Sequence, residues 1–146
     1  HLFDERYVCA VSGANTRFTK GMSLRAFAES LHAVAESTGM AHDRVIDIEL
    51  AKHGVVRRPG LRVPEFVTLP FLIQNSELVL TMPSMLADRL APIVGLRVLD
   101  PPIAFPPFPV RVFWHERVHR DEGHRWLRDV LVRLFLPLGK RRAVSS

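Results

Sequence analysis

The five residues HERVH, 115 to 119, carry the sharpest chemical signal in the sequence. Two histidines four apart, with a glutamate beside the first, match H-E-x-x-H. In that motif both imidazoles ligate zinc and the glutamate deprotonates the metal-bound water. The chemistry needs a helix, because a helix sets positions i and i+4 on one face. The residues just before, Val110-Arg111-Val112-Phe113-Trp114, are β-branched and aromatic and predict a strand from Val110 to His115. The next helix signal is Asp121, an N-cap type of residue beyond the motif. HERVH is therefore expected to straddle a strand end and a loop, with no fixed common face for His115 and His119. A third ligand is also wanting. The extended pattern asks for glycine at 122 and histidine at 125, where this chain has Glu122 and Arg125, and no acid follows Asp129. His124 falls in the first turn of a different helix. The motif reads as two histidines around a strand end, and no metal is assigned.

Other reactive patterns are weaker. The sequence contains no G-x-S-x-G, no glycine-rich phosphate loop and no C-x-x-C pair. Cys9 is the only cysteine, which excludes an intramolecular disulfide and fits a reducing compartment. It lies in the apolar run Tyr7 to Val11 and reads as a small core residue. His32, inside an apolar strand, reads as a satisfied, half-buried histidine; His42 and His53, at the two ends of one helix, read as surface groups. No catalytic residue and no cofactor are assigned, so the chain is not read as an enzyme.

The elements that must position any site follow from pattern. With 146 residues, 47 % of them apolar, the chain can bury a core of ordinary domain size. Its net charge of +5 is scattered. The clusters Arg57-Arg58, with Arg62, and Lys140-Arg141-Arg142 lack the aromatic interleaving of a single-strand binder and the stripe of a groove-binding helix. They read as solvated surface. No run of eighteen apolar residues is present, so no membrane-spanning helix is expected. The start, His1 to Arg6, has neither initiator Met nor signal-peptide pattern and reads as cut from a longer chain. A cytoplasmic location is expected.

Strands are predicted at 7–11, 31–35, 61–63, 78–82 and 97–99. Between them come a short helix capped by Ser23, a helix from about His42–Asp43 to Gly54, one after Pro64, and one opened by Pro83-Ser84. Ile46 and Leu50, with Val45 and Ile48, should form the buried face of the second. Leu69, Leu72 and Ile73 belong to the third; Met85, Leu86 and Leu90 should point inward from the fourth. This alternation argues an α/β, Rossmann-like, mostly parallel sheet with helices on both faces, in which ligands sit at the carboxyl ends of strands. The segment 100–109 has five prolines and reads as an extended crossover. A last helix, capped by Asp121, carries Trp126, Leu127, Val130, Leu131, Leu134 and Phe135 on one face, with Arg125, Arg128, Asp129 and Arg133 opposite. It should end at Pro137-Leu138-Gly139.

Several stretches together resemble the effector-binding domain of LysR-type transcriptional regulators. They are Phe3 to Val11, Leu61 to Phe66 before an apolar helix, Glu77 to Ala87 with its Thr-x-Pro strand end, Gly95 to Leu99, and Trp114-His115 through His124-Arg125-Trp126-Leu127-Arg128. The resemblance implies a fold like a type 2 periplasmic binding protein, with two subdomains and a small effector in the cleft between them. On that reading residues 1–11 are the remnant of the first subdomain and first crossing strand. Residues 12–98 form the second subdomain, 99–109 the proline-rich return, 110–136 the strand and helix that rejoin the first subdomain, and 137–146 a flexible tail. The resemblance also implies a homodimer or higher oligomer and promoter DNA contacted only through an N-terminal domain absent from this sequence. The effector class the site suits is anionic or aromatic.

The candidate effector contacts are Ser37 and Thr38, with His42, at a helix start; Glu65 and Phe66 after the third strand; and Thr81 and Pro83 at the end of the fourth. The plainer roles are turn formers for Ser37 and Thr38, core for Phe66 and a helix starter for Pro83. The other function compatible with the same fold is a stand-alone solute-binding or interaction module with no DNA role.

Overall fold

The computed structural model describes residues 1–35 and 41–143. It divides into two compact units, Arg6–Pro106 and, together, His1–Glu5 with Pro107–Ser146. Residues Tyr7–Ser12 and most of the proline-rich segment therefore group with the larger unit.

The larger unit holds a five-stranded sheet built from β2 (Tyr7–Ser12), β3 (Leu31–Ala35), β4 (Arg58–Val63), β5 (Val79–Pro83) and β6 (Leu96–Leu99), in the order β4-β3-β5-β2-β6. β3 pairs parallel with β4 and β5, and β2 pairs antiparallel with β5 and β6. Four strands thus share one direction and β2 alone runs the other way. All six residues of β2 are buried, as a strand bonded on both edges and covered on both faces requires. β4 starts earlier than Leu61 because it is an edge strand. An edge accommodates Pro59, and Gly60 is the residue skipped where His32 pairs Pro59 and Ala33 pairs Leu61.

Four helices cover this sheet: α1 (Leu24–Ala28), α2 (Ala41–Lys52), α3 (Leu69–Ile73) and α4 (Ser84–Val94). Side-chain alternation gives the sheet two different faces. Val8, Ala10, Ala33, Ala35, Leu80 and Met82 pack with Leu69, Ile73 and Ala87 of α3 and α4. Cys9, Val11, His32, Val34 and Thr81 point the other way, toward Phe27 of α1 and the buried Ile46 and Leu50 of α2. Ser23 caps α1 as expected, its hydroxyl accepting from the Ala26 N–H.

Three expected burial patterns differ. Ile48 (49 % exposed) and Leu72 (51 %) face solvent, since short amphipathic helices on a sheet bury only a narrow stripe. In α4 the fully inward positions are Ser84, Ala87, Ala91 and Val94, with Met85, Leu86 and Leu90 only half-buried. Small residues there let the helix lie close over β2. Gly95 ends α4 at φ +68°, a left-handed conformation that favours glycine. Its carbonyl accepts from the Gly13 N–H at 2.9 Å, and a Cβ on Gly13 would lie 2.6 Å from that oxygen.

The smaller unit pairs β1 (Phe3–Glu5) antiparallel with β7 (Phe108–Val110) and carries α5 (Glu122–Ala143). The last strand thus lies at 108–110 and not at 110–115. Pro109 is tolerated because this ribbon has only two strands, both of them edges. Phe3 stacks on Phe135, with ring centroids 6.2 Å apart. The apolar face of α5 is not buried as a whole: Trp126, Leu127 and Leu134 are exposed, while Val130, Leu131 and Phe135 are half-buried. α5 also continues through Pro137 and Gly139 to Ala143. A proline near a helix end forfeits a single backbone bond, as Pro92 does in α4.

Leu50 and Ile48 make a direct comparison, two residues apart on α2. Leu50→Ala is expected to lower unfolding free energy by ~2–5 kcal/mol, and Ile48→Ala to change it by less than about 0.5 kcal/mol, measured from urea midpoints.

Candidate functional site

The reversed direction of β2 decides which residues meet. The carboxyl ends of β3, β4, β5 and β6 and the amino end of β2 all reach one edge of the larger sheet, where Tyr7 stands opposite Pro83. Each expected contact can be placed against that edge. Ser37 and Thr38 lie outside the described residues. His42 occupies the first turn of α2. Glu65 is exposed, in extended backbone just past β4, and makes no capping bond to the following 3-10 turn at Phe66–Thr68. Phe66 is half-buried and packs on the core beneath α3. Pro83 is half-buried at the junction of β5 and α4.

Thr81 stands apart. It is buried, 2 % exposed, and its hydroxyl lies 3.9 Å from the Cys9 sulfur. Alternation along β5 turns it to the face opposite Phe66. Glu65, Phe66 and Pro83 lie at the strand-end edge, while Thr81 shares the Pro83 face of β5 but lies two residues deeper, beside Cys9.

Residues that pattern alone did not single out occupy the same edge. The Ser84 N–H donates to the Arg6 carbonyl at 2.8 Å, and Arg6 pairs loosely with Asp100 at 3.7 Å, both side chains exposed. Their signal was the direction of β2, which residue pattern alone does not reveal. Two recesses open in the larger unit, the second of them reaching Leu99 and Asp100 at the end of β6. One, about 330 Å³, is walled by Val34, Ala51, Val55 and Pro59, with Asp47 and Arg62. The other is an open groove of about 830 Å³ running from Arg17 and Lys20 to Val98 and Pro101. Neither is lined by Glu65, Phe66, Thr81 or Pro83.

Three buried titratable groups lie on the Thr81 side of the sheet. Burial pushes the Cys9 thiol up to about 12, against a smaller opposing effect of the Thr81 hydroxyl; it stays protonated and is no nucleophile at neutral pH. Burial works against the Arg57 charge, but bonding to Asp47 and the charges of Asp43 and Asp47 outweigh it and raise its pKa. Its guanidinium reaches Asp47 at 2.7 Å and Asp43 at 2.9 Å. His32 is fully buried, with Nε2 3.0 Å from the Phe27 carbonyl. Burial lowers its pKa to about 4, with the bond to Phe27 partly opposing. The ring is thus neutral, and Nε2–H donates to Phe27.

HERVH lies in the smaller unit and has no metal-binding geometry. Glu116–Val118 form a single 3-10 turn flanked by His115 and His119. His115 Nδ1 accepts the Arg117 N–H at 3.0 Å, and His119 Nδ1 accepts the Trp114 indole N–H at 3.1 Å. Both lone pairs are committed locally. Among the described residues no group of three His, Cys, Asp or Glu is placed to hold a metal ion. No helix among them is long and apolar enough to cross a membrane.

An open α/β sheet with helices on both faces and most strand ends gathered at one edge defines a class of domain that takes up small ligands at that edge. The comparisons carry this further. The family model described as LysR substrate binding domain matches residues 1–135, and the chain belongs to that family. The transcriptional activator NagR of a Ralstonia species is 33 % identical over 134 residues, 92 % of this chain and 44 % of that protein. The regulator SyrM 1 of Sinorhizobium fredii is 32 % identical over 133 residues, 88 % of this chain and 38 % of that protein. The chain thus spans less than half the length of these two relatives. A solved probable transcriptional regulator from Pseudomonas aeruginosa matches with TM-score 0.71 and 29 % identity, over 86 % of this chain and 41 % of that one. The regulatory domain of MexT, a transcriptional activator in Pseudomonas aeruginosa, has TM-score 0.74 over 92 % of this chain and 65 % of that one; at 24 % identity it speaks for the fold alone.

The buried His32 sets a pH dependence. Its folded pKa of about 4 lies below the ordinary 6.5, so the unfolded chain takes up the proton first. Stability from this group is full above pH 6.5 and falls as pH drops toward 4, by up to ~3 kcal/mol. Replacing His32 by Phe is expected to flatten the urea-midpoint profile across that range. Parallel profiles for the two proteins would contradict the assignment.

Proposed function

We propose that this chain is the regulatory, small-molecule-sensing domain of a LysR-type transcriptional regulator, acting by binding and not by covalent chemistry. The family match over residues 1–135 carries the reading. In the full-length protein, promoter DNA is contacted through a domain outside this sequence, in the cytoplasm. An effector acts only by binding one arrangement of the domain better than another.

The proposed contacts are Glu65, Phe66 and Pro83 on the strand-end edge, with Ser37, Thr38 and His42 where α2 begins. Thr81, buried against Cys9, supports the wall of the site without reaching the effector. The first turns of α2 and α4 lie at this edge, where the positive end of a helix dipole favours an anionic group, and the half-buried Phe66 ring offers a stacking surface. Glu65 opposes a bare carboxylate. The effector class that satisfies all three is aromatic, with its anionic group held at a helix start.

Two experiments test this. Calorimetry against a panel of aromatic monocarboxylates and their neutral amides should identify a binder. Glu65→Gln should then strengthen the acid relative to its amide by roughly fivefold, the effect of removing one nearby like charge; an unchanged ratio places Glu65 outside the site. The exposed Trp126, Leu127 and Leu134 on α5 are proposed to be covered by a second copy, since an apolar face of this size favours association. Light scattering at micromolar concentration should give the mass of a dimer, and the Leu127→Glu, Leu134→Glu double variant that of a monomer. A monomeric parent chain would overturn this part of the reading.

A further inference from the structure

The residues that first suggested zinc do something else in the smaller unit. Trp114, in the loop after β7, donates its indole N–H to His119 Nδ1 at 3.1 Å. The two rings lie within 14° of coplanar with centroids 6.1 Å apart, as an in-plane N–H to lone-pair bond requires. Arg128 of α5 closes the assembly from the other side. Its guanidinium lies over the Trp114 ring, 4.7 Å from the centroid, and its Nη2 donates to the His119 carbonyl at 2.8 Å. The loop is thereby tied to the helix through one tryptophan, one histidine and one arginine. The same loop supplies Asp121, whose carboxylate accepts the His124 N–H at 2.8 Å and caps α5.

One atom of this clasp changes its role with a proton. An indole N–H can only donate, so the bond exists only while His119 Nδ1 carries a lone pair. A protonated imidazole has a donor at both nitrogens, and Trp114 and His119 would then present hydrogens to each other. The new positive charge would also arise beside Arg128. Arg128 of α5 bonds the His119 carbonyl, Glu116, Arg117 and Arg120 flank His119 in sequence, and Asp121 is engaged as the helix cap. His115 is turned onto the Arg117 N–H and does not enter the clasp.

We propose that Trp114, His119 and Arg128 form a proton-sensitive clasp: neutral His119 locks the 114–121 loop onto α5, and protonation of His119 opens it and frees the Trp114 indole. Opening loosens the loop that caps α5, so the first turn of α5 and the aromatic surface around Phe113 and Trp114 respond to pH. The proposal stands apart from the effector reading and uses none of its residues.

The chain has two tryptophans; Trp126, 67 % exposed within one chain, serves as an internal reference in the Leu127→Glu, Leu134→Glu background, where no second copy covers it. The test is nitrogen-resolved NMR of the two indole N–H groups across pH 5 to 8, with the Trp126→Phe variant to assign them and the His119 Cε1–H followed in parallel. At the high end the Trp114 N–H should exchange roughly fivefold more slowly than that of Trp126, the protection one hydrogen bond gives. Its shift and exchange should move to the Trp126 values with the same midpoint as His119. In His119→Asn, whose Oδ1 can accept at the position of Nδ1 but does not titrate, the protection should persist at all pH values. A Trp114 signal that ignores the His119 midpoint, or that loses protection equally in His119→Asn, would overturn the clasp.

Discussion

The larger unit depends on one constraint: β2 is bonded on both edges, to β5 and to β6, and runs against both. A strand in that position cannot slip without turning every side chain to the wrong face. Its register therefore fixes two cores at once. Val8 and Ala10 meet Leu80 and Met82 beneath α3 and α4, while Cys9 and Val11 face the layer that holds Phe27, Ile46 and Leu50. The same reversal carries Tyr7 to the edge where the parallel strands end. The ligand-binding edge proposed for this domain is thus a consequence of strand direction as much as of local sequence.

The second layer holds buried charged and titratable groups. Arg57 is 6 % exposed and spans two carboxylates of α2, so its charge is matched where it is desolvated. Breaking such a group by removing one partner costs far more than the intact group contributes. The arrangement specifies where α2 sits over β3 and β4. His32 lies in the same layer, neutral and bonded to the Phe27 carbonyl. α2 begins on the strand-end edge and is anchored near its middle by Arg57.

Much of this was legible in the sequence because local chemistry dictated it. Ser23 capped α1, Gly54 followed α2, and the apolar runs at Tyr7, Leu31 and Val79 formed strands. The alternation of strands and helices indicated an α/β sheet, and the loose motifs from Phe3 to Arg128 indicated the family. What stayed hidden was decided by contacts distant in sequence. The direction of β2 comes from its partners β5 and β6. The exposure of Ile48 and Leu72 comes from how narrow a stripe each helix buries. The run Val110 to Trp114 has strong strand propensity, yet the backbone is irregular past Val110, where the pairing with β1 ends. Arg128 was assigned to the solvent face of its helix; the loop that folds onto that face could not be foreseen from helix periodicity. Of the candidate contacts, Glu65, Phe66 and Pro83 lie at a common edge, whereas Thr81 lies two residues deeper in β5 and is buried beside Cys9.

The central claim is that a small effector is taken up at the edge where β3, β4, β5 and β6 end. The most direct measurement is a backbone amide NMR titration of the chain with the tightest-binding member of a panel of aromatic acids. The account expects the largest shift changes at Glu65, Phe66, Ser84 and Met85, with smaller ones along the first turn of α2. Changes confined to Val55, Val56 and Arg62, around the recess between α2 and β4, or no saturable change with any member of the panel, would contradict it.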